Sequence, residues 1–486
     1  MDSSSPAMRR QSLPHSEQAR AAVAEWGWLD PVRVVTAAFA PARLDVMGGI
    51  ADYSGAVVLE MPLECGVVAF VQQTDDGMLA VRTGGPALPL LASSSVTVPL
   101  ALLEPLAPEQ NARRLRAALA AQVATWASFV LGPIAMLHSA GMLPPISGLR
   151  LAIWSDVPAG AGVSSSAALE VATLRALQGL LTPALDQLDG LRLAALAQRA
   201  EQEVALAPCG IMDQATAALG QRERLLVLCC QPCELLAQRP LPRDVRVFGI
   251  DTGHTHRVSD GQYGRVRAAT FMGRAIIAAR AASAGGEDPP DGYLCNLKPE
   301  HFLAEYAAHL PEVVTGAEFL ASYGEHGDTA TRIEEEIAYH VRTCTAHPIF
   351  EQANVNVFLA ALDRYKANGE MAALLEAGDA MYRSHESYSR RCGLGTPETD
   401  RIVVLARERG AARGIFGAKI TGGGGGGTVA ILARGRDVEI VIAEIAAAYA
   451  TQTGKPARVF VGSEDGAMYW APERLNSIVS MPVREE

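Results

Sequence analysis

Long apolar runs are missing from this 486-residue chain. No stretch of about 18 uncharged apolar residues occurs, which rules out a bilayer-spanning helix. Even the Ala-rich segment from Val429 to Ala450 is broken by Arg434, Arg436, Asp437, Glu439 and Glu444. Positive charge is also scarce: 42 Lys and Arg stand against 53 Asp and Glu, a net charge of −11. A non-specific grip on nucleic acid or acidic lipid is therefore excluded as the main activity, and any phosphate chemistry has to be local. Residues 1–30 contain Ser, Pro and Arg but no apolar core of a signal peptide, and read as a disordered leader. The 8 cysteines are scattered through apolar contexts without a repeated Cys-x-x-Cys, which fits reduced buried thiols in a cytoplasmic protein.

Two phosphate-binding motifs are absent as well. A P-loop needs Gly-Lys followed by Ser or Thr, which does not occur. A dinucleotide fold needs a second strand with an acidic end about 20 residues on, where this chain is helical in pattern.

The order of patterns that is present reads as α+β. Val32–Ala40 is β-branched and apolar, and ends in a strand-to-loop transition at Pro41 that runs to Gly49. Gly66–Gln72 and Leu149–Trp154 are further strands, and helical spacing covers 108–142, 165–181 and 191–206. A Pro-rich link at Arg239-Pro-Leu-Pro precedes the strand Val245–Asp251 and marks a boundary. The expected division is a leader at 1–30, a first domain over 31–240 and a second over 241–486. In the second, Tyr263–Ala282 reads as a helix, 282–292 as a polar loop and 295–375 as mostly short helices.

Three segments carry chemistry. In the first, Pro158-Ala-Gly160-Ala161-Gly162-Val163-Ser164-Ser165-Ser166 lies between a strand and a helix. Its glycines admit a ligand to the backbone, and its amides and the helix N-terminus favour an anion, so it reads as a phosphate cradle. A Ser-capped strand-to-helix turn would share part of this pattern. In the second, Pro208-Cys-Gly-Ile-Met-Asp213-Gln214 follows a helix with Glu201 and Glu203, and its carboxylate either caps a helix or takes a proton. In the third, Lys419-Ile-Thr leads into six glycines, Gly422 to Gly427, between two strands. Each interior glycine costs about 0.5–1 kcal/mol relative to Ala, so a filler role is a poor explanation.

Taken together and in this order, the segments resemble the GHMP kinase superfamily, in which galactokinases, homoserine kinases and mevalonate kinases fall. The phosphate loop matches Pro158–Ser166, and the C-terminal glycine motif matches Lys419 to Gly427, including Gly422, Gly423, Gly424 and Gly425. Arg43-Leu-Asp-Val-Met-Gly with Asp52-Tyr53-Ser-Gly is similar to the galactokinase signature, and Cys209-Gly-Ile-Met-Asp-Gln to its active-site segment. The resemblance implies a two-lobed fold, with an N-terminal lobe like ribosomal protein S5, a C-terminal ferredoxin-like lobe and the active site between them.

It also implies roles. Asp213 would be the base for the anomeric hydroxyl and Arg43 its charge partner. Gly160 to Ser166 would cradle the β- and γ-phosphates of ATP, and Ser166 and Glu201 would hold Mg²⁺. Gly49, Ile50, Asp52 and Tyr263 would face the sugar. A monosaccharide and ATP are the expected binding partners, with no nucleic acid, no membrane and no obligate protein partner.

One departure bears on the substrate. Galactokinases have Glu-His before the Asp-Tyr pair, contacting the C6 hydroxymethyl group of galactose, where this chain has Gly49-Ile50. L-Arabinopyranose has the ring stereochemistry of galactose without C6, and a pocket for it is better without polar groups that would stay unpaired. Segments such as Phe248-Gly-Ile-Asp-Thr-Gly and Ala346-His-Pro-Ile-Phe resemble the kinase portion of L-arabinokinases, whose larger N-terminal region has no counterpart here. The expected activity is phosphorylation of L-arabinose at O1. A galactokinase, a uronic-acid 1-kinase and a non-catalytic regulator binding sugar and ATP are the alternatives. Gly425, where galactokinases often carry a larger residue, is a second departure.

Overall fold

The computed structural model describes residues 12–87, 94–104, 108–254, 261–284 and 289–478. The first half of the chain folds as α1 (Ser16–Glu25), β1 (Val35–Met47), β2 (Val57–Gln73), β3 (Met78–Gly84) and β4 (Ser95–Pro99). Helices α2 (Pro108–Ala121) and α3 (Ser128–Ser139) lead to β5 (Leu149–Ser155). Then come α4 (Ser165–Leu180), α5 (Gly190–Ala200), α6 (Met212–Leu219), β6 (Arg224–Cys229) and β7 (Glu234–Pro240).

The second half contains β8 (Val245–Asp251), α7 (Gln262–Ala284), α8 (Pro299–Glu305), β9 (Val314–Thr315), α9 (Gly316–Tyr323) and β10 (Ala338–Tyr339). Helices α10 (Val341–Asn368), α11 (Met371–Arg390) and α12 (Pro397–Arg409) follow. The rest is β11 (Ile415–Ile420), β12 (Thr428–Arg434), α13 (Val438–Thr453), β13 (Arg458–Phe460) and β14 (Glu473–Leu475).

Two main sheets organise these elements. One has eight strands, with the path β14-β1-β2-β5-β3-β4 and the β6–β7 hairpin attached to β2. The other is antiparallel, in the order β11-β12-β8-β13. Helix α4 covers one face of the first sheet through Val171 and Leu174, and α3 packs against α4 and α5 through Val130 and Leu131, all four residues fully buried. Helices α12 and α13 cover the second sheet through Ile402, Leu405, Ile442 and Ile445.

Several expectations need correcting. The leader reading fails for residues 16–25, which form α1. Leu13, Ala19, Val23 and Leu29 pack with Phe39, Phe70 and Trp154, and Arg20 donates to the carbonyls of Ser477 and Ile478 at 3.2 and 3.1 Å. Residues 1–11 lie outside the described set.

Pro41 does not end its strand either, for β1 continues, wholly buried, to Met47. The ladder to β2 shifts register between Pro41 and Arg43, and the carbonyl of the facing Gly66 accepts instead from Asp156 N at 3.3 Å, so the missing proline N–H costs little.

The stretch 295–375 is dominated by one 28-residue helix, α10, with Pro348 inside it. The Cys344 carbonyl that Pro348 cannot reach accepts a hydrogen bond from Thr270 Oγ1 at 3.2 Å, which lets the helix continue. Finally, the chain beyond the second sheet returns to the first: β14 pairs with β1, and Arg175 on α4 donates to the carbonyls of Ala467 and Trp470.

Candidate active site

The strand β1, the start of α4, the start of α6 and the β11–β12 connection meet at Arg43. The phosphate-loop segment leaves β5 and turns into α4 with Gly160 at φ 74°, Gly162 at φ 72° and Ser164 at φ 67°. Its carbonyls are fixed from two sides. Arg43 N donates to Val163 O at 3.1 Å and Arg43 Nη1 to Gly162 O at 2.9 Å. From the second half of the chain, Thr428 Oγ1 donates to Ala161 O at 2.8 Å.

The six glycines are needed for the shape of their turn, since all except Gly423 have φ between 68° and 131°. They also allow contact with the phosphate loop. A Cβ on Gly427 would stand 2.7 Å from Ala161 O, and one on Gly422 would stand 2.9 Å from Gly162 O and 3.2 Å from Arg43 Nη2. Gly425 N donates to Leu394 O at 2.6 Å, while a Cβ on Gly424 would meet Leu394 Cβ at 2.7 Å, so this turn is packed on both sides.

Asp213, in the first turn of α6, lies at the meeting point. Arg43 Nη2 is 2.6 Å from its Oδ1, and the Ser164 hydroxyl donates to its Oδ2. Glu60, fully buried on β2, is 3.3 Å from Arg43 Nε, so one guanidinium faces two carboxylates. Burial opposes the charge on Arg43, but Asp213, Glu60 and Asp45 outweigh it and hold the guanidinium above its ordinary pKa. Glu60 is pushed well up, chiefly by burial and then by Asp45.

A second acidic group lies beside the first. Helix α5 widens into one π turn at Glu201–Ala205, which sets Glu201 next to the phosphate loop, and Ser166 hydrogen-bonds to it. Gln214 Nε2 bridges Glu201 Oε2 at 2.6 Å and Glu170 Oε2 at 3.1 Å. Burial and the nearby Asp213 push Glu201 up to about 7, and burial pushes Glu170 well above the carboxylate range. Such a pocket favours an incoming cation. Among the described residues, no group of three His, Cys, Asp or Glu has metal-binding geometry.

The Gly48–Asp52 turn between β1 and β2 closes the site. Asp52 is buried, and its carboxylate so crowds the turn before α6 that a Cβ on Gly210 would fall 1.5 Å from Oδ2. Burial raises Asp52 to about 6, against the pull of Arg267. Among the described residues its Oδ1 has no hydrogen-bond partner. Tyr263 is buried edge-on to Tyr53, with ring centroids 6.1 Å apart, and Ile50 shares their apolar cluster.

Arg43, Asp213, Ser164, Ser166, Glu201, Asp52 and Tyr263 are thus brought to one region together with the glycine motif. The sequence reading missed Glu60, Glu170, Asp45, Tyr388 and Arg267. Arg267 is held from two sides. It forms a two-bond pair with Asp328 at 2.8 Å and donates from Nη1 to the carbonyls of Pro208 and Cys209 at 3.0 and 3.1 Å, bracing the turn before Asp213. Its spacing in sequence carries no sign of Asp328.

The GHMP kinases N terminal domain model matches residues 128–221, and the GHMP kinases C terminal model matches 361–451. An L-arabinokinase of Arabidopsis thaliana is 34% identical, covering 95% of this chain and 48% of its own length. This chain therefore spans about half of that relative. A galactokinase of Chloroflexus aggregans is 32% identical over 68% of this chain and 72% of its own, and one of Streptomyces coelicolor is 29% identical over 87% and 90%. The solved structure of Lactococcus lactis galactokinase complexed with galactose superimposes with a TM-score of 0.66 at 21% identity, covering 91% of this chain and 95% of that one. The likeness in fold extends across both halves, and with these sequence matches the chain belongs to the GHMP kinase family, with its two-lobed α+β fold.

Proposed function

We propose that the protein is an ATP-dependent sugar-1-kinase whose substrate is L-arabinose. The observation that carries this reading is the Arg43–Asp213–Ser164 cluster, set where the phosphate loop of one lobe meets the glycine motif of the other. Asp213 accepts the proton of the anomeric hydroxyl as its oxygen bonds to the γ-phosphorus, and the bond to the β-phosphate oxygen breaks to release ADP. Arg43 holds the carboxylate in place and offsets charge developing on the transferring group. Phosphoryl transfer depends mainly on such positioning and charge stabilisation.

The amides of 160–166 cradle the phosphates. Asp52 Oδ1, without a partner among the described residues, accepts from a sugar hydroxyl, and Tyr263 packs against the ring. The Ser166 and Glu201 pair suits Mg²⁺, which takes few protein ligands and completes its shell with phosphate and water. Bound there, the ion would screen the phosphate charge. The chain passes from the first lobe to the second at 240–245 and returns to the first with β14. A cytoplasmic setting is proposed too, supported by eight unpaired cysteines.

The choice of L-arabinose draws on Gly49. A Cβ at this position would stand 2.0 Å from both Asp45 Oδ2 and Tyr388 OH, so the glutamate of galactokinases has no room here. The galactokinase relatives keep D-galactose as the second reading. The test is ADP release from ATP and Mg²⁺ with L-arabinose, D-galactose, D-glucuronate and D-galacturonate. The highest kcat/KM is expected for L-arabinose. Faster turnover of D-galactose overturns the choice of sugar, and no sugar-dependent ADP release overturns the kinase reading.

A further inference from the structure

The Ala346-His347-Pro-Ile-Phe segment, singled out in the sequence and given no task by the mechanism, lies on α10 against the Gly48–Asp52 turn. Three side chains of the second half hold that turn. Glu351 Oε1 accepts from Gly48 N at 3.0 Å and is itself fixed by Ser384 Oγ at 2.7 Å. His347 Nε2 is 3.3 Å from Gly49 O, and its Nδ1 is 2.8 Å from Ser387 Oγ. Tyr388, edge-on to His347 with centroids 5.3 Å apart, packs its hydroxyl over the Gly49 Cα. Burial, ahead of the opposing Gly49 hydrogen bond, lowers His347 to about 3 and leaves the ring neutral. Since a carbonyl only accepts, the proton is on Nε2, and the Ser387 hydroxyl donates to Nδ1.

The turn needs holding. Ile50, its next residue, is fully buried with φ at 50°, a left-handed conformation that a β-branched side chain adopts only under strain. Strain of this kind persists where the surroundings over-determine the backbone, and here the surroundings come from α10 and α11. We infer that His347, Glu351 and Tyr388 are positioning residues for the Gly48–Asp52 turn, so that the second lobe sets sugar recognition through a backbone it does not itself supply. This inference rests on the proposed sugar site.

The experiment compares His347→Leu and His347→Gln with the unaltered chain, measuring KM for sugar and for ATP, and kcat. His347→Leu is expected to raise the sugar KM about tenfold, the equivalent of one lost hydrogen bond, with the ATP KM within about twofold. His347→Gln, which keeps an N–H donor, is expected to recover most of that loss. An unchanged sugar KM in His347→Leu overturns the inference, as does an equal rise in both KM values, which marks general disruption. An unaltered chain that phosphorylates no sugar overturns the functional reading and this inference with it. An active chain whose His347→Leu variant keeps its sugar KM overturns only the inference.

Discussion

Arg43 Nη2 lies 2.6 Å from Asp213 Oδ1, joining β1 to α6 across 170 residues of sequence. The pair couples stability to chemistry. Asp213→Asn keeps a hydrogen-bonding group of the same shape but loses the proposed base. It is expected to lower kcat by about 10²–10⁴ with the circular-dichroism spectrum unchanged. Arg43→Met leaves Asp213 and Glu60 facing each other uncompensated and is expected to cost about 3–5 kcal/mol in urea unfolding. A kcat for Asp213→Asn within tenfold of the unaltered chain contradicts the assignment of the base.

Lys419 and Asp45, both fully buried, form a 2.7 Å ion pair between the lobes, and Asp45 Oδ2 also faces Tyr388 OH at 3.2 Å. Removing one charge strands the other. Lys419→Met is expected to destabilise by about 3–5 kcal/mol, and Asp45→Asn combined with it by clearly less than the sum of the single changes. Additive losses in a double-mutant cycle would show that the pair is not coupled.

Within the glycine motif the effect of adding a methyl group should depend on position. Gly427→Ala demands φ near 77° from an alanine and drives its Cβ to 2.7 Å from Ala161 O, a backbone atom. A loss of about 1–3 kcal/mol is expected. Gly423 has an ordinary φ and its nearest neighbour would be Tyr263 Cδ2 at 3.6 Å, so Gly423→Ala should unfold within about 0.5 kcal/mol of the unaltered chain. Thermal melting of the two variants separates the cases, and equal melting temperatures contradict the geometry.

Asp52, with its pKa raised to about 6 by burial against Arg267, makes stability depend on pH in an unusual direction. The folded chain keeps a proton that the unfolded chain releases near the ordinary value of 3.8. The stability contributed by this group is complete below that value and is lost as pH rises through about 6. At about 1.4 kcal/mol per unit the contribution is at most about 3 kcal/mol. Asp52→Asn should therefore shrink the fall in urea midpoint between about pH 4 and pH 7. Glu60, Glu170 and Glu201 are shifted the same way, so part of the fall remains. A fall of undiminished size in Asp52→Asn refutes the assignment.

The sequence by itself determined the local chemistry: a glycine-rich turn at 158–166 poised to start a helix, a six-glycine turn between strands, an acidic turn at Asp213, and Gly49 with Ile50 where galactokinases have Glu and His. These are legible because backbone freedom and side-chain charge are properties of short segments. The strand continuing past Pro41, the helix running through Pro348 and the packed α1 were not legible, since each depends on a distant partner: Asp156, Thr270, or Phe39 with Trp154. Tertiary structure alone decided that Arg43 is shared by Asp213 and Glu60, that Arg267, paired with Asp328, braces the turn before Asp213, and that His347 grips the Gly49 carbonyl. The physical reason is that buried charges and strained backbones are tolerated only when opposing groups converge on them, and convergence over hundreds of residues leaves no periodicity in the chain.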